Sequence, residues 1–490
     1  MPPRYILALD QGTTSSRSLL FDAQANAIAQ VQEEFPQIYP QPGWVSHDPM
    51  AIWSTQLSTA RQVMQQAGVT AEDIAAIGIT NQRETTVIWD RETGKPIADA
   101  VVWQCRRTAP RCDALRAEGR EPLFRERTGL VLDAYFSGTK VEWLLDNIPE
   151  ARERAERGEL CFGTIDSWLL FQLTGVHATD YSNASRTLLF NIHTLDWDDE
   201  LLQILHIPRE LLPEVHPTCH VFGHTGLLGG KIPVAALAGD QQAALFGHGA
   251  FDTLDCKNTY GTGCFLLVNT GESPRISTHG LLTTIAWGAE GKVTYALEGS
   301  VFVAGALIQW LRDELGILAT AAESEVIAAS VPDTGGVCIV PAFVGLGAPY
   351  WDMHARGTIT GLTRGTSRAH LVRAALEAIA HQSADLLESM EQDLGSTVQS
   401  LKVDGGASQN DLLLQIQSDL LGRSLRRGAS AESTAKGAAM MAGFSVGFYS
   451  SLSHLKGLCS QGVEFMPMIA HENRNQLRAA WRNAVRKTIS

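Results

Sequence analysis

The sequence predicts an α/β fold built as two halves of similar plan. Three observations carry that prediction. Apolar runs of strand length are mixed with helical stretches along the chain. A hydroxyl-rich glycine turn between two strand patterns, Asp10-Gln11-Gly12-Thr13-Thr14-Ser15-Ser16-Arg17, stands early in the chain. A second, Lys257-Asn258-Thr259-Tyr260-Gly261-Thr262-Gly263-Cys264, stands early in the second half, and a third Gly-rich turn at Gly405-Gly406 comes after a strand pattern and opens a helix.

Residues 4–35 read as three strands turning at Gly12 and near Asn26. Asp48 caps a helix that Pro49 starts and Gly68 ends. Residues 74–80 form a buried strand ending at Asn81-Gln82-Arg83-Glu84, then come a hairpin over 85–98 and a strand over 100–103. Residues 107–230 are more helical and polar and read as an insertion. The strand 234–238 ends at Gly239-Asp240-Gln241-Gln242, where a small-residue helix begins. A boundary near 246–254 divides the chain into domains 1–250 and 251–490. Beyond it lie a long helix over 367–394, the strand from Leu401, and a small-residue helix over 435–443 that permits close packing.

Composition narrows the function. The chain has 490 residues, 44% hydrophobic and 19% charged, an ordinary globular balance. Its net charge of −14 argues against nucleic acid or an anionic membrane as the main partner. The eight cysteines show no CxxC and no zinc-like spacing, which fits reduced thiols in a cytoplasmic protein. No export signal and no apolar run of about 18 residues is expected to anchor it.

The first turn is costly to place beside a core unless it binds something. Gly12 admits close backbone approach, the hydroxyls of Thr13, Thr14 and Ser15 donate, Arg17 neutralises charge, and Asp10 can hold hydrated Mg²⁺. The octapeptide reads equally as a polar hairpin with a capped turn. It is not a Walker loop, having no GxxxxGK[ST] pattern. Taken singly, Arg83-Glu84 reads as a solvated ion pair, Asp240 as a helix N-cap, and Tyr135, Trp103 and Phe265 as core aromatics.

Two hydroxyl-rich turns facing across a cleft would hold a triphosphate, with Gly405-Gly406 against a flat base. That plan resembles the actin/hexokinase/Hsp70 ATPase superfamily: two ribonuclease-H-like domains with an ATP and substrate cleft between them. Within it, residues 135–147, and Gly345-Leu346-Gly347-Ala348-Pro349-Tyr350-Trp351-Asp352 with Arg356-Gly357, are similar to the two signatures of the FGGY carbohydrate kinases. The resemblance runs from about residue 5 to about residue 485 and takes in residues 79–86, 103–107, 183–186 and 238–247.

The resemblance implies ATP-dependent phosphorylation of glycerol with Mg²⁺, by a cytoplasmic homodimer or homotetramer without nucleic acid or membrane anchoring. It assigns Asp240 as general base. It assigns Arg83, Glu84, Tyr135, Asp240 and Gln241 to glycerol, with Trp103 and Phe265 as walls. Thr13, Thr14, Ser15, Arg17 and Thr262 go to phosphates, Gly305, Gln309, Gly406 and Asn410 to the nucleotide, and Asp10 to Mg²⁺. Some family members respond to fructose 1,6-bisphosphate at a Gly-Arg loop. Here that loop ends Gly229-Gly230-Lys231, and Lys is a poorer bidentate phosphate partner, so this regulation is not expected. The segment Ala470-His471-Glu472-Asn473-Arg474 likewise departs from the pattern of members that bind a sugar-transport phosphocarrier. The competing readings are a kinase of a tetritol or pentulose, which needs a roomier pocket, and a chaperone or filament ATPase, which leaves Arg83, Glu84, Tyr135 and Asp240 unexplained.

Overall fold

The computed structural model describes residues 3–352, 354–428, 432–459 and 462–489. Its first half is organised on a six-stranded sheet. Strands β1 (Tyr5–Gln11), β2 (Ser15–Phe21) and β3 (Ala27–Glu34) form an antiparallel meander through the predicted turns. Helix α1 (Pro49–Ala67) comes next, with the Asp48 carboxylate accepting from the Met50 N–H and Gly68 ending it in the left-handed region at φ 65°. Strand β4 (Ile74–Asn81) lies parallel to β1. Beyond an insertion, β5 (Cys219–Thr225) and β6 (Ile232–Gly239) complete the order β5-β6-β4-β1-β2-β3. Helix α2 (Asp240–Gly247) leaves the end of β6.

The second half repeats the plan with seven strands. They are β7 (Cys256–Tyr260), β8 (Cys264–Gly271), β9 (Leu282–Ala289), β10 (Lys292–Val301), β11 (Ser400–Asp404), β12 (Ser424–Arg427) and β13 (Val463–Phe465). Their order is β9-β10-β8-β7-β11-β12-β13. As with β1, the central strand β7 has its hairpin partner antiparallel on one side and a parallel strand on the other. Helices α3 (Gly305–Asp313), α4 (Arg368–Leu394), α5 (Asp411–Leu421) and α7 (His471–Thr488) pack on this sheet, and α6 (Ser433–Ser445) crosses back to the first.

Three local expectations change. The strand expected over 100–103 is only Ala100–Val101, and Trp103 lies in a turn where its N–H donates to Thr85 Oγ1 at 3.2 Å. In the hairpin over 85–98, only Val87–Asp90 is strand and its ladder partner is Leu160–Gly163. The return arm is held by single bonds such as Ile97 N to Ile88 O, 3.0 Å. The stretch 107–230 includes β5, a strand of the main sheet, so the helical insertion ends before it. The insertion has its own core, which takes in Leu282, Ile285 and Tyr295 from the second sheet, so it braces both halves.

The halves also meet where small residues let backbones touch. A methyl group built on Gly437 of α6 would lie 1.8 Å from the Ala243 carbonyl of α2, and one on Gly78 of β4 would lie 2.2 Å from the Ala438 carbonyl. The obstacles are backbone atoms, which cannot swing aside. Gly437→Ala is expected to lower unfolding free energy by about 1–3 kcal/mol, the usual range for overpacking a dense interior. Denaturant unfolding with and without the substitution checks this, and an unchanged midpoint would show that α2 and α6 separate freely.

Candidate active site

Register places the site. Gln11 of β1 pairs with Asn81 of β4, and Asn81 pairs with Gly239 of β6. Three parallel strands therefore end side by side, and the segments leaving them converge: the Gly12 turn, Gln82-Arg83-Glu84, and Asp240. In the second half Thr259 pairs with Asp404, which sets the Gly261 turn beside Gly405. Ligands of open α/β sheets bind at such carboxyl strand ends.

The first turn is closed by the Gly12 N–H donating to Ser15 O at 3.0 Å. Asp10 and Arg17 face each other across the hairpin and form an ion pair, and Arg17 also reaches Glu432 at 2.7 Å. The Trp103 indole N–H donates to Thr13 Oγ1 at 3.0 Å, Gln37 Nε2 donates to Thr13 O at 3.1 Å, and Gln82 Nε2 donates to Gly12 O at 3.1 Å. Thr14 is exposed at the tip, and buried Ser15 accepts from Gln32 Nε2 at 3.1 Å.

Below it lies a buried charge cluster. Arg83, 3% exposed, forks onto Glu298 with contacts of 2.5 and 2.8 Å. Its Nη1 also reaches Gln242 Oε1 at 3.1 Å, its Nη2 reaches the Tyr135 hydroxyl at 3.4 Å, and its Nε stands 3.3 Å from Asp240. Arg186 donates to Glu84 at 2.7 Å and to Glu298 at 3.1 Å. Two guanidinium groups thus share two carboxylates. Burial pushes Glu298 up, but Arg186 and Arg83 together outweigh it and hold its pKa down to about 2. Burial keeps Glu84 above its ordinary value despite Arg186 and Arg83. Glu84 also sits in the left-handed region at φ 60°, inside a three-residue turn closed by Thr85 N to Arg83 O at 2.7 Å. A non-glycine residue held there is strained backbone of the kind that gathers at functional sites.

Around the cluster, Tyr135 packs edge-on to Trp103 with centroids 5.6 Å apart, and the Arg83 guanidinium lies 5.9 Å from the Phe265 ring centre. Asp240 is the first residue of α2, with Gly239 rather than Asp240 at the N-cap. Its side chain is 31% exposed, so one face meets the cleft while the other meets Arg83. Burial raises its pKa, opposed by Arg83 and then Lys257. Gln241 Oε1 accepts from Lys257 Nζ at 2.6 Å.

In the second half, Gly305 N donates to Gly261 O at 3.0 Å and the Ala304 and Ala306 N–H groups close on Thr262 O, so exposed Thr262 sits against the start of α3. Gln309 is exposed one turn further along α3. Gly405, at φ 88°, lets the third turn lie against Tyr260 O, and a methyl built on Gly406 would meet nothing within 4 Å. Asn410 caps α5 by accepting from Leu413 N at 2.9 Å and donates to Ser324 Oγ at 3.2 Å, so its amide is engaged in structure.

Sequence reasoning missed Glu298, Lys257, Gln242 and the part played by Arg186. A lone carboxylate in the apolar run Tyr295-Ala296-Leu297-Glu298 is the available signal, because a buried charge needs a partner.

Two ribonuclease-H-like sheets, each with a hydroxyl-rich turn at its strand ends, define a phosphoryl-transfer fold of the sugar-kinase type. The N-terminal domain of the FGGY family of carbohydrate kinases matches residues 5–247 and the C-terminal domain matches residues 256–446; the chain belongs to this family. It is 57% identical over 490 residues to glycerol kinase 2 of Thermotoga maritima, covering 99% of each. It is 59% identical over 487 residues to glycerol kinase of Symbiobacterium thermophilum, covering 99% of this chain and 98% of the relative. The structure of Plasmodium falciparum glycerol kinase with ADP superposes with a TM-score of 0.93 at 36% identity, covering 100% of this chain and 99% of that one.

Glu298→Gln removes one charge from a fully buried ion cluster, and is expected to cost about 3–5 kcal/mol of folding stability. The difference from the unmodified protein should be full above the ordinary glutamate value of 4.5 and shrink as pH falls towards about 2, because the folded pKa is depressed. Denaturant unfolding of both proteins across that window checks sign and size. A difference that does not vary with pH would remove the ion pairs as its cause.

Proposed function

We propose that the chain transfers the γ-phosphoryl group of ATP to glycerol, giving sn-glycerol 3-phosphate and ADP. The observation that carries this reading is the Asp240 carboxylate, partly exposed on one side and set against Arg83 on the other, with Gln241 next to it in the chain and with Glu84 and Tyr135 on the same Arg83. The high identity to glycerol kinases across the whole chain supports the same reading.

Glycerol has three hydroxyls and little carbon, so recognition rests on hydrogen bonds, and a site built to bond each hydroxyl rejects analogues lacking one. Glu84 accepts, Gln241 and Tyr135 donate, and Trp103 and Phe265 bound the space. Most donors of Arg83 are taken within the protein, so it acts chiefly by fixing Tyr135, Asp240 and Glu298 in place. Asp240 takes the proton from the attacking hydroxyl as its oxygen bonds to the γ-phosphorus. Burial raises its pKa, which strengthens it as a base, and Arg83 and then Lys257 oppose that rise. The hydroxyls of Thr13, Thr14, Ser15 and Thr262 donate to phosphate oxygens and Arg17 offsets their charge. Gly305, Gln309, Gly406 and Asn410 border the nucleotide.

Among the described residues no group of three or more ligating side chains is assembled for a metal. The Asp10 carboxylate at the turn would hold Mg²⁺, which is commonly bound by one or two carboxylates plus nucleotide phosphates and water. Bound there, Mg²⁺ would offset charge on the phosphoryl oxygens. We place the division into substrate and nucleotide domains near residue 250, and the eight unpaired cysteines support a cytoplasmic setting. No helix among the described residues is long and apolar enough to cross a membrane.

ADP release from MgATP with and without glycerol tests the reading. Strong stimulation by glycerol with the phosphate on a terminal hydroxyl is expected; a rate indifferent to glycerol would overturn it. Asp240→Asn is expected to lower kcat about 10²–10⁴-fold with the fold intact, and near-normal turnover in that variant would remove Asp240 from the mechanism.

A further inference from the structure

Lys257 is a buried lysine outside the residues assigned to glycerol and phosphate. It lies on β7 with no exposed surface. Such a group persists inside a protein only with partners. Its Nζ donates to Gln241 Oε1 at 2.6 Å and to Thr259 Oγ1 at 2.9 Å. The carboxylates that favour its charge come from three elements: Asp404 at the end of β11, Asp240 at the start of α2 and Glu298 on β10, with Arg83 opposing them. Asp404 is the residue before Gly405 and stands 3.2 Å from His248 Nε2 at the far end of α2.

An ammonium has donors and no acceptor, so the Gln241 amide must turn its oxygen to Lys257. The amide nitrogen then faces away from Lys257, as a donor for a substrate hydroxyl oxygen. We propose that Lys257 is a positioning residue of the transfer site: it orients the Gln241 amide next to Asp240 and joins the helix carrying both to the strand that opens the nucleotide turn. The inference rests on the phosphoryl-transfer reading, and glycerol-dependent ADP formation by the unmodified protein at neutral pH tests that reading separately.

Burial pushes the Lys257 pKa down to about 8. Of the other titratable groups facing it, Asp404, Asp240 and Glu298 favour its charge and Arg83 opposes it, and burial pushes up the thiols of Cys256 and Cys264, the latter to about 12. Losing the Lys257 proton should release Gln241 and weaken Asp240 as an ionised base. Lys140, whose Nζ donates to Tyr135 O at 2.7 Å, is also lowered by burial to about 8 and serves as the control.

The experiment is kcat/KM for glycerol from about pH 6 to about pH 9.5 in the unmodified protein and in Lys257→Met, Lys257→Arg and Lys140→Met. The unmodified protein should show an alkaline limb near 8. Lys257→Met should lose roughly tenfold or more at neutral pH, lose that limb, and shift its acid limb upward, since an anion deprived of a neighbouring cation holds its proton more tightly. Lys257→Arg should recover part of the activity with no limb in the range, and Lys140→Met should keep the limb. A profile flat through the alkaline range in the unmodified protein, a limb that survives in Lys257→Met or vanishes in Lys140→Met, or lost activity with unshifted limbs and no recovery in Lys257→Arg would overturn the proposal. Should Lys257→Met fail to fold, the unmodified profile and Lys257→Arg decide.

Discussion

The interaction on which the rest depends is the fork of Arg83 onto Glu298. Arg83 stands just past a strand of the first sheet and Glu298 lies on a strand of the second, so their pairing joins the halves at the floor of the cleft. Neither charge can stay buried alone. Desolvating an isolated guanidinium or carboxylate costs far more than any single packing contact returns. Arg186 and Glu84 add a second guanidinium and a second carboxylate, and the side chains around the cluster inherit their positions from it. Tyr135, Gln242 and Asp240 each touch Arg83. As the proposed acceptor site, the cluster has its polar groups oriented by contacts within the protein, which suits a reaction in which alignment does most of the work.

Strand register does for the glycine turns what the ion cluster does for the side chains around Asp240. Gln11, Asn81 and Gly239 share one level of the first sheet, and Thr259 and Asp404 share one level of the second. The chain segments between them are free to carry an insertion of about a hundred residues because only the strand ends must coincide. The close approach of α2 and α6 at Gly437 then ties the helix bearing Asp240 to an element from late in the chain.

Much of this was legible in the sequence because its signals are local. Asp48, Pro49 and Gly68 mark both ends of α1, and the Gly12 turn announces its own hairpin. Asp240 stands at the junction of an apolar strand and a small-residue helix, where the structure places it. What stayed hidden was pairing over long separations. Glu298 is 215 residues from Arg83, and nothing in either neighbourhood encodes the other. Lys257 sits inside a Gly/Thr turn pattern that draws attention to the turn rather than to the strand before it. Trp103 reads as strand because its neighbours are β-branched, yet its backbone bonds a side chain, Thr85, in place of a ladder. Asn410 also caps a helix, a second task for its amide that the Gly-rich turn before it does not announce.

The central claim is that the acceptor hydroxyl is bound between Asp240 and the Arg83–Glu298 cluster, in line with the nucleotide. A crystal structure with glycerol and a non-hydrolysable ATP analogue tests it most directly. One terminal glycerol oxygen is expected within hydrogen-bond reach of the Asp240 carboxylate and facing the γ-phosphorus, with the other hydroxyls on Glu84, Tyr135 and Gln241. Glycerol bound elsewhere, or a γ-phosphate on the far side of the cleft from Asp240 with the halves closed, would contradict it.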